Sequence, residues 1–412
     1  MSIFLIIERQ IKEMKKKNGV YLRKRFAAVW MTAAMVGACF PGNVQMVCAA
    51  EEYEYLEEAL DAPDVAGLDC IGKMKLDYAQ CFDVYYYEKD YTLLVVENSG
   101  QFLLIPQVSE IPDGLSDDIV ILQQPLDKIY LQATSAMALF RALDSMDNIR
   151  LVGTDANGWY IDEAVEAINN GDMLFAGKYS EPDYEMLVNE GCDLALESTM
   201  LLHTPKVQEM ISMLDIPVLI ERASYETGTL GRTEWIKFYG AMLDKEQEAY
   251  EFFEQQKKIV DDLEGFPNTG KTIAFFYLNS EGTVVVRKVD DYIVNMINIA
   301  GGKYVFDDLT EEETSSTSSS VSLSMEQFYA QARDADFLVY NATIADPIKS
   351  IDELLTQSEL FADFKAVKEG NVWTTDKSFF QATDIAAELI VDFNHLVTGE
   401  NLDQMTFLTK VN

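Results

Sequence analysis

The segment from Thr233 to Glu264 constrains this chain more than any other. Its apolar residues are Trp235, Phe238, Tyr239, Met242, Ala249, Tyr250, Phe253, Val260 and Leu263, with Asp, Glu, Lys and Gln between them. That spacing puts most of them on one stripe of a helix. Thr233 suits the N-cap, Gly265 suits the position after the last turn, and Pro267 forbids continuation. A helix of that length spans roughly 45 Å at about 1.5 Å per residue, more than either half of the chain is wide. The pattern predicts a beam at 233–264 joining two lobes.

On both sides of it, short apolar runs alternate with helical ones. Ile129–Leu131, Ile149–Val152, Met173–Phe175, Asp193–Leu196 and Val218–Ile220 precede it, separated by helical periodicity at 135–143, 160–169, 183–190 and 205–214. Thr272–Leu278, a turn at Asn279–Gly282, Thr283–Lys288, Phe337–Tyr340 and Val372-Trp373 follow, with helices at 292–300, 351–355 and 384–398. Such alternation specifies largely parallel sheets with crossover helices. Ahead of them, 78–123 is rich in aromatic and β-branched residues broken by Lys89-Asp90 and Asn98-Ser99-Gly100, which reads as an antiparallel meander. Its tyrosine stripe reads as packing. The expected fold is α/β: two Rossmann-like lobes, at 75–232 and 265–412, joined by one long interlobe helix, with the meander in front. The acidic stretch 39–74 reads as a tether, and the serine-rich 307–324 as a surface loop.

A formal charge of −37 excludes nucleic acid as a partner. The basic residues concentrate at the start, where Lys15–Lys17 and Arg23–Arg25 precede an uncharged run from Phe26 to Phe40. That run is short for a membrane span and has the proportions of an export signal, so 1–38 is assigned as a signal peptide. Met14 is an alternative start. Two readings of the cleavage stand. Val36-Gly37-Ala38-Cys39 resembles a lipobox, which would make Cys39 the lipidated first residue; Cys48-Ala49-Ala50 would serve ordinary signal-peptidase cleavage. In an exported chain a Cys70–Cys81 bridge is an open option, while Cys192 reads as a small core residue.

Catalytic signatures are sparse. Gly265-Phe266-Pro267-Asn268-Thr269-Gly270-Lys271-Thr272 matches a P-loop letter for letter, but a helix precedes it and a strand follows, the reverse of what phosphate binding needs. His203 and His395 stand apart, no serine has a nucleophile-elbow context, and zinc spacings are missing. No catalytic residue, metal ligand or cofactor is assigned. The chain reads as a binder, with an extracytoplasmic enzyme acting on a tetrapyrrole or metal chelate as the alternative. In open α/β sheets ligands lie beyond the carboxyl ends of strands. The loops there offer Trp159, Tyr160, Tyr179, Tyr225, Phe379 and Phe380 as flat apolar faces, and Lys178, Arg232 and Arg287 as partners for anionic groups.

Several segments together are similar to a known family. Ile129–Ser135 running into Ala138–Leu143, Ile149–Gly153, Glu181–Leu187 followed by Gly191–Leu196, Leu230–Lys237 with Gly240 and Leu243–Glu246, Ile299–Gly302 and Met325–Gln327 resemble the type III substrate-binding proteins of bacterial ABC importers. The resemblance covers about 120–400. It implies capture of a ferric siderophore, haem or corrinoid between two lobes, and delivery by a monomer to a permease dimer with its ATPase. It also implies that Glu185 and Glu326, matching one glutamate on each lobe, dock onto the permease. Both lie in the first turn of an expected helix, where a carboxylate is also favoured for stability alone. The bound metal is expected to be held by the chelate, not by the protein.

Overall fold

The computed structural model describes residues 56–263, 265–309 and 320–412; the expected signal peptide and Cys39 lie outside them. Period-two alternation builds the front of the molecule. Strands β1 (Leu56–Glu57), β2 (Cys70–Met74), β3 (Phe82–Tyr87), β4 (Thr92–Val96), β5 (Gly100–Ile105) and β6 (Ile119–Gln123) pair in that order. Phe82, Val84, Tyr86, Leu94, Phe102 and Leu104 face the main core, whereas Tyr85, Tyr87, Leu93, Leu103 and Ile105 form a second core with Val65. The tyrosines are packing residues whose hydroxyls find partners: Tyr87 donates to the Pro63 carbonyl at 2.5 Å and Tyr91 to that of Glu110 at 2.6 Å. Two expectations are corrected here. Residues from Leu56 onward are not tether, because they pair as β1 and β2 and bury Val65. Strand β6 runs parallel to β5, because the 106–118 connection crosses over instead of turning back.

The first lobe follows the expected rhythm: β7 (Ile129–Leu131), α1 (Thr134–Ala142), β8 (Ile149–Val152), α2 (Asp162–Asn170), β9 (Leu174–Phe175), a small hairpin β10 (Gly177–Lys178) and β11 (Glu181–Pro182), α3 (Tyr184–Glu190), β12 (Leu194–Glu197), α4 (Pro205–Ser212) and β13 (Val218–Ile220). The sheet is parallel, in the order β13-β12-β7-β8-β9. Connections leave β7 and β12 in opposite directions, so a crevice opens at their carboxyl ends.

The beam is corrected most. In place of one helix there are two, α5 (Thr229–Met242) and α6 (Glu246–Asp261), folded back on each other. Lys237 Nζ lies 4.3 Å from the Phe253 ring centroid, and a methyl on Gly240 would stand 2.5 Å from Ala249 Cβ. The turn between them is fixed from outside. Asp244 takes φ +60°, a left-handed value that Asp tolerates, and accepts from Gln124 Nε2 at 3.2 Å. Lys245 Nζ donates to the carbonyls of Leu143 and Asp144 just past the end of α1, at 2.5 and 2.6 Å. Every residue of α5 except Arg232 is buried. The organising element is therefore a central helix wedged among front sheet and lobes.

The second lobe comprises β14 (Thr272–Leu278), β15 (Val284–Arg287), α7 (Tyr292–Ile299), β16 (Lys303–Tyr304), β17 (Ser320–Leu323), α8 (Met325–Ala332), β18 (Phe337–Tyr340), α9 (Ile351–Gln357), α10 (Lys365–Glu369), β19 (Val372–Thr375), α11 (Ala387–Thr398) and β20 (Leu408–Lys410). Its sheet is mixed, ordered β17-β15-β14-β18-β19-β20 with β16 beside β14, and separate from that of the first lobe. Strand β17 occupies the end of the expected serine-rich loop. The P-loop-like string joins α6 to β14, and Lys271 pairs with Asp336 at 3.3 Å, so it forms no phosphate cradle. Cys70 and Cys81 are free thiols, so the bridge that the sequence left open is not formed; Cys192 is buried as expected. One apolar cluster runs from the front sheet through α5 into both lobes.

Candidate functional site

Arg232 owes its availability to its place: the one partly exposed residue of an otherwise buried helix. It lines a cavity of about 60 Å³ together with Ser135, Ser224, Tyr292, Phe379, Phe380 and Thr383. Ser135 stands on the first turn of α1, just beyond β7 at the crevice; Ser224 follows β13; Tyr292 opens α7; and Phe379 to Thr383 follow β19. The cavity thus lies between the lobes.

The Arg232 guanidinium lies 3.8 Å from the ring centroid of Tyr292, itself stacked on Phe379 at 6.4 Å and 17°. Its Nη2 donates to the Ser224 carbonyl at 2.9 Å. Below the cavity Ser135 Oγ donates to Glu221 at 3.1 Å, and the Ala223 amide donates to the same carboxyl at 2.7 Å. Burial pushes the Glu221 carboxyl up, and these two donors oppose that. The walls are aromatic, one cation points inward, and hydroxyls ring the rest. An arrangement of this kind orients a flat or anionic guest.

The two lobes meet beside the cavity. Arg141 Nη2 pairs with Asp384 at 2.7 Å, and Thr233 Oγ1 donates to the Thr383 carbonyl at 2.9 Å. Gln381 accepts from the Tyr160 amide and donates to the Gly158 carbonyl, both at 2.8 Å. These contacts hold the gap narrow.

Of the residues singled out from the sequence, Arg232, Phe379 and Phe380 line this cavity together. Others are placed differently. Trp159 is buried and turns its indole N–H to the Thr154 carbonyl at 3.0 Å, so it is a packing residue. Tyr160 stands at the edge, its exposed ring 5.8 Å from that of Phe380. Lys178 and Tyr179 belong to the β10–β11 hairpin and do not line the cavity. Tyr225 is covered by the Arg222 guanidinium at 4.1 Å, and Arg287 pairs with Asp291 at 3.6 Å. Sequence reasoning missed Tyr292 and Thr383. The Asp291 N-cap just ahead of Tyr292 was the available signal, since its carboxylate accepts from the Ile293 amide at 2.9 Å. Among the described residues no group of His, Cys, Asp or Glu is placed to hold a metal ion.

The periplasmic binding protein family model matches residues 134–379, more than half of the chain. The chain belongs to the periplasmic binding proteins. It is therefore a solute-binding protein and not an enzyme, which removes the alternative. Two relatives are uncharacterized lipoproteins of Methanocaldococcus jannaschii: one is 22% identical, covering 74% of this chain and 77% of the relative, the other 24% identical, covering 80% and 84%. Among solved structures, the periplasmic heme-binding protein of Vibrio cholerae shares the fold at TM-score 0.52 and 15% identity, covering 66% of this chain and 97% of its own. The periplasmic catecholate-siderophore-binding protein of the same organism does so at 0.51 and 13%, covering 66% and 94%. These likenesses establish two lobes. Among the described residues no helix is long and apolar enough to cross a membrane.

Proposed function

We propose that this periplasmic binding protein is the extracytoplasmic receptor of an ABC importer, capturing an anionic metal chelate (a ferric siderophore or haem) or a corrinoid between its lobes and passing it unaltered to the permease. The observation that carries this reading is the interlobe cavity, where Arg232 lies over Tyr292 beside Phe379 and Phe380. At about 60 Å³ it is smaller than the roughly 300–1,000 Å³ of ligand-filled pockets. Loading therefore requires the Gln381 and Thr383 contacts to part. Thermal-shift titration with haem, ferric tris-catecholate, ferric hydroxamate and cobalamin tests the proposal; no shift with any of them removes it. With an anionic probe, Arg232→Ala is expected to cost about 1.5–3 kcal/mol as one charged hydrogen bond is lost. Unchanged affinity would clear Arg232 of contact.

Delivery is assigned to Glu185 and Glu326. Both are exposed, one in the first turn of α3 and one in the first turn of α8, and neither takes part in an ion pair among the described residues. Charges so placed steer encounter and fix register on a basic partner. Glu185→Ala with Glu326→Ala should leave solution affinity intact while cellular uptake falls several-fold; uptake at the wild-type rate would refute the assignment. The lipoprotein relatives support an anchor at Cys39, and metabolic labelling with a fatty acid should vanish in Cys39→Ser.

A further inference from the structure

The family match starts at residue 134, so the front sheet lies outside it. It is fastened to α5 and its leading loop by two buried carboxylates. Glu234 accepts from the amides of Asp77, Tyr78 and Ala79 at 3.0, 2.7 and 2.8 Å and pairs with Lys237 Nζ at 2.6 Å. Glu226, just ahead of α5, accepts from the Gln80 amide at 3.1 and 3.0 Å on its two oxygens, from the Cys81 amide at 3.0 Å and from Trp235 Nε1 at 3.0 Å. Glu234 is 0% and Glu226 4% exposed, so water cannot replace these donors.

The two differ in what lies on their other side. The main-chain carbonyl of Glu226 faces Arg232 Nε at 3.5 Å, and the Ser224 carbonyl, two residues earlier, takes Arg232 Nη2. There is no slack between: a methyl on Gly231 would stand 3.2 Å from Glu226 Oε2 and 3.3 Å from the Tyr78 carbonyl. The loop 77–81 therefore presses on the segment that carries Ser224 and Arg232 into the cavity.

We infer that Glu226 is a positioning residue through which the front sheet sets the place of Arg232, making that sheet part of the ligand cleft. The inference rests on reading that cavity as the ligand site, and its test separates the two. In ligand-free protein, Glu226→Gln should speed hydrogen exchange of amides 224–232 by about fivefold or more, as the opening free energy of that segment falls. Glu234→Gln, whose side-chain bonds reach no residue of 223–232, should loosen 77–79 far more than 224–232. With haem as the probe, read by quenching of tryptophan fluorescence, Glu226→Gln should weaken binding about tenfold, yet add nothing in an Arg232→Ala background. Exchange raised only at 77–81, or losses that add in the double variant, would overturn it. If haem does not bind wild-type protein, the haem reading fails by itself and the exchange comparison still decides. Should Glu226→Gln not fold, Glu226→Asp, which keeps the charge but withdraws the carboxylate, is read in the same way.

Discussion

Replacing Glu197 with Gln should make the protein more stable at neutral pH and flatten its dependence on pH. Glu197 ends β12 with no exposed surface, and neither carboxyl oxygen has a hydrogen-bond partner among the described residues. Burial pushes its pKa from 4.5 up to about 8. The folded state thus keeps a proton that the unfolded chain releases above pH 4.5. Between those values the unfolded state binds fewer protons, so stability falls as pH rises: full below pH 4.5, and lost as pH rises through 8. At pH 7 the cost is about 3 kcal/mol, at roughly 1.4 kcal/mol for each pH unit above 4.5. A glutamine cannot ionise and escapes that cost. Urea unfolding at pH 4.5, 6 and 8 should show the two proteins similar at the lowest pH and diverging upward. A constant difference across the range would mean that the carboxyl is already ionised when folded.

Much of the architecture was readable from local pattern because local pattern caused it. The apolar triplets Ile129–Leu131 and Val218–Ile220 are strands since nothing else buries them between helices. The break at Asp244 was not readable in that way. No Gly or Pro marks it, and the turn exists because Gln124 and the end of α1 supply partners more than 100 residues away in sequence. The strands of 56–74 were hidden for a similar reason: the loop between them is acidic, and each is regular only through a partner, β1 on β2 and β2 on β3. In the site, Phe379 could be found because it follows the end of β19, and Arg232 because it is the one cation of 224–232, the segment that follows β13. Tyr292 was passed over, since a tyrosine opening an apolar helix looks like core until Arg232 is laid across it, and the Asp291 N-cap marks the helix start and not the ring's role. Trp159 erred in the opposite sense, an aromatic in a ligand-side loop whose indole is used up by Thr154.

Trp235→Ala should be the most damaging single truncation in the front half, because this ring joins three parts of the molecule. It has no exposed surface, and its centroid lies 4.8 Å from Phe82 of the front sheet and 5.0 Å from Phe238 on its own helix. Removing a buried indole costs about 3–5 kcal/mol in transfer and cavity energy. It also takes one of the donors from the buried Glu226 carboxylate, which adds about 1–3 kcal/mol if no water enters. Trp235→Phe keeps most of the ring volume and loses the N–H, so the difference between the two variants separates packing from charge satisfaction. If the front sheet were merely appended, Trp235→Ala would release it and leave the lobes folded, giving two unfolding transitions. One continuous apolar cluster through α5 instead predicts a single transition at a lower midpoint. Calorimetry resolving two separate peaks would show that the central helix does not couple the front sheet to the lobes.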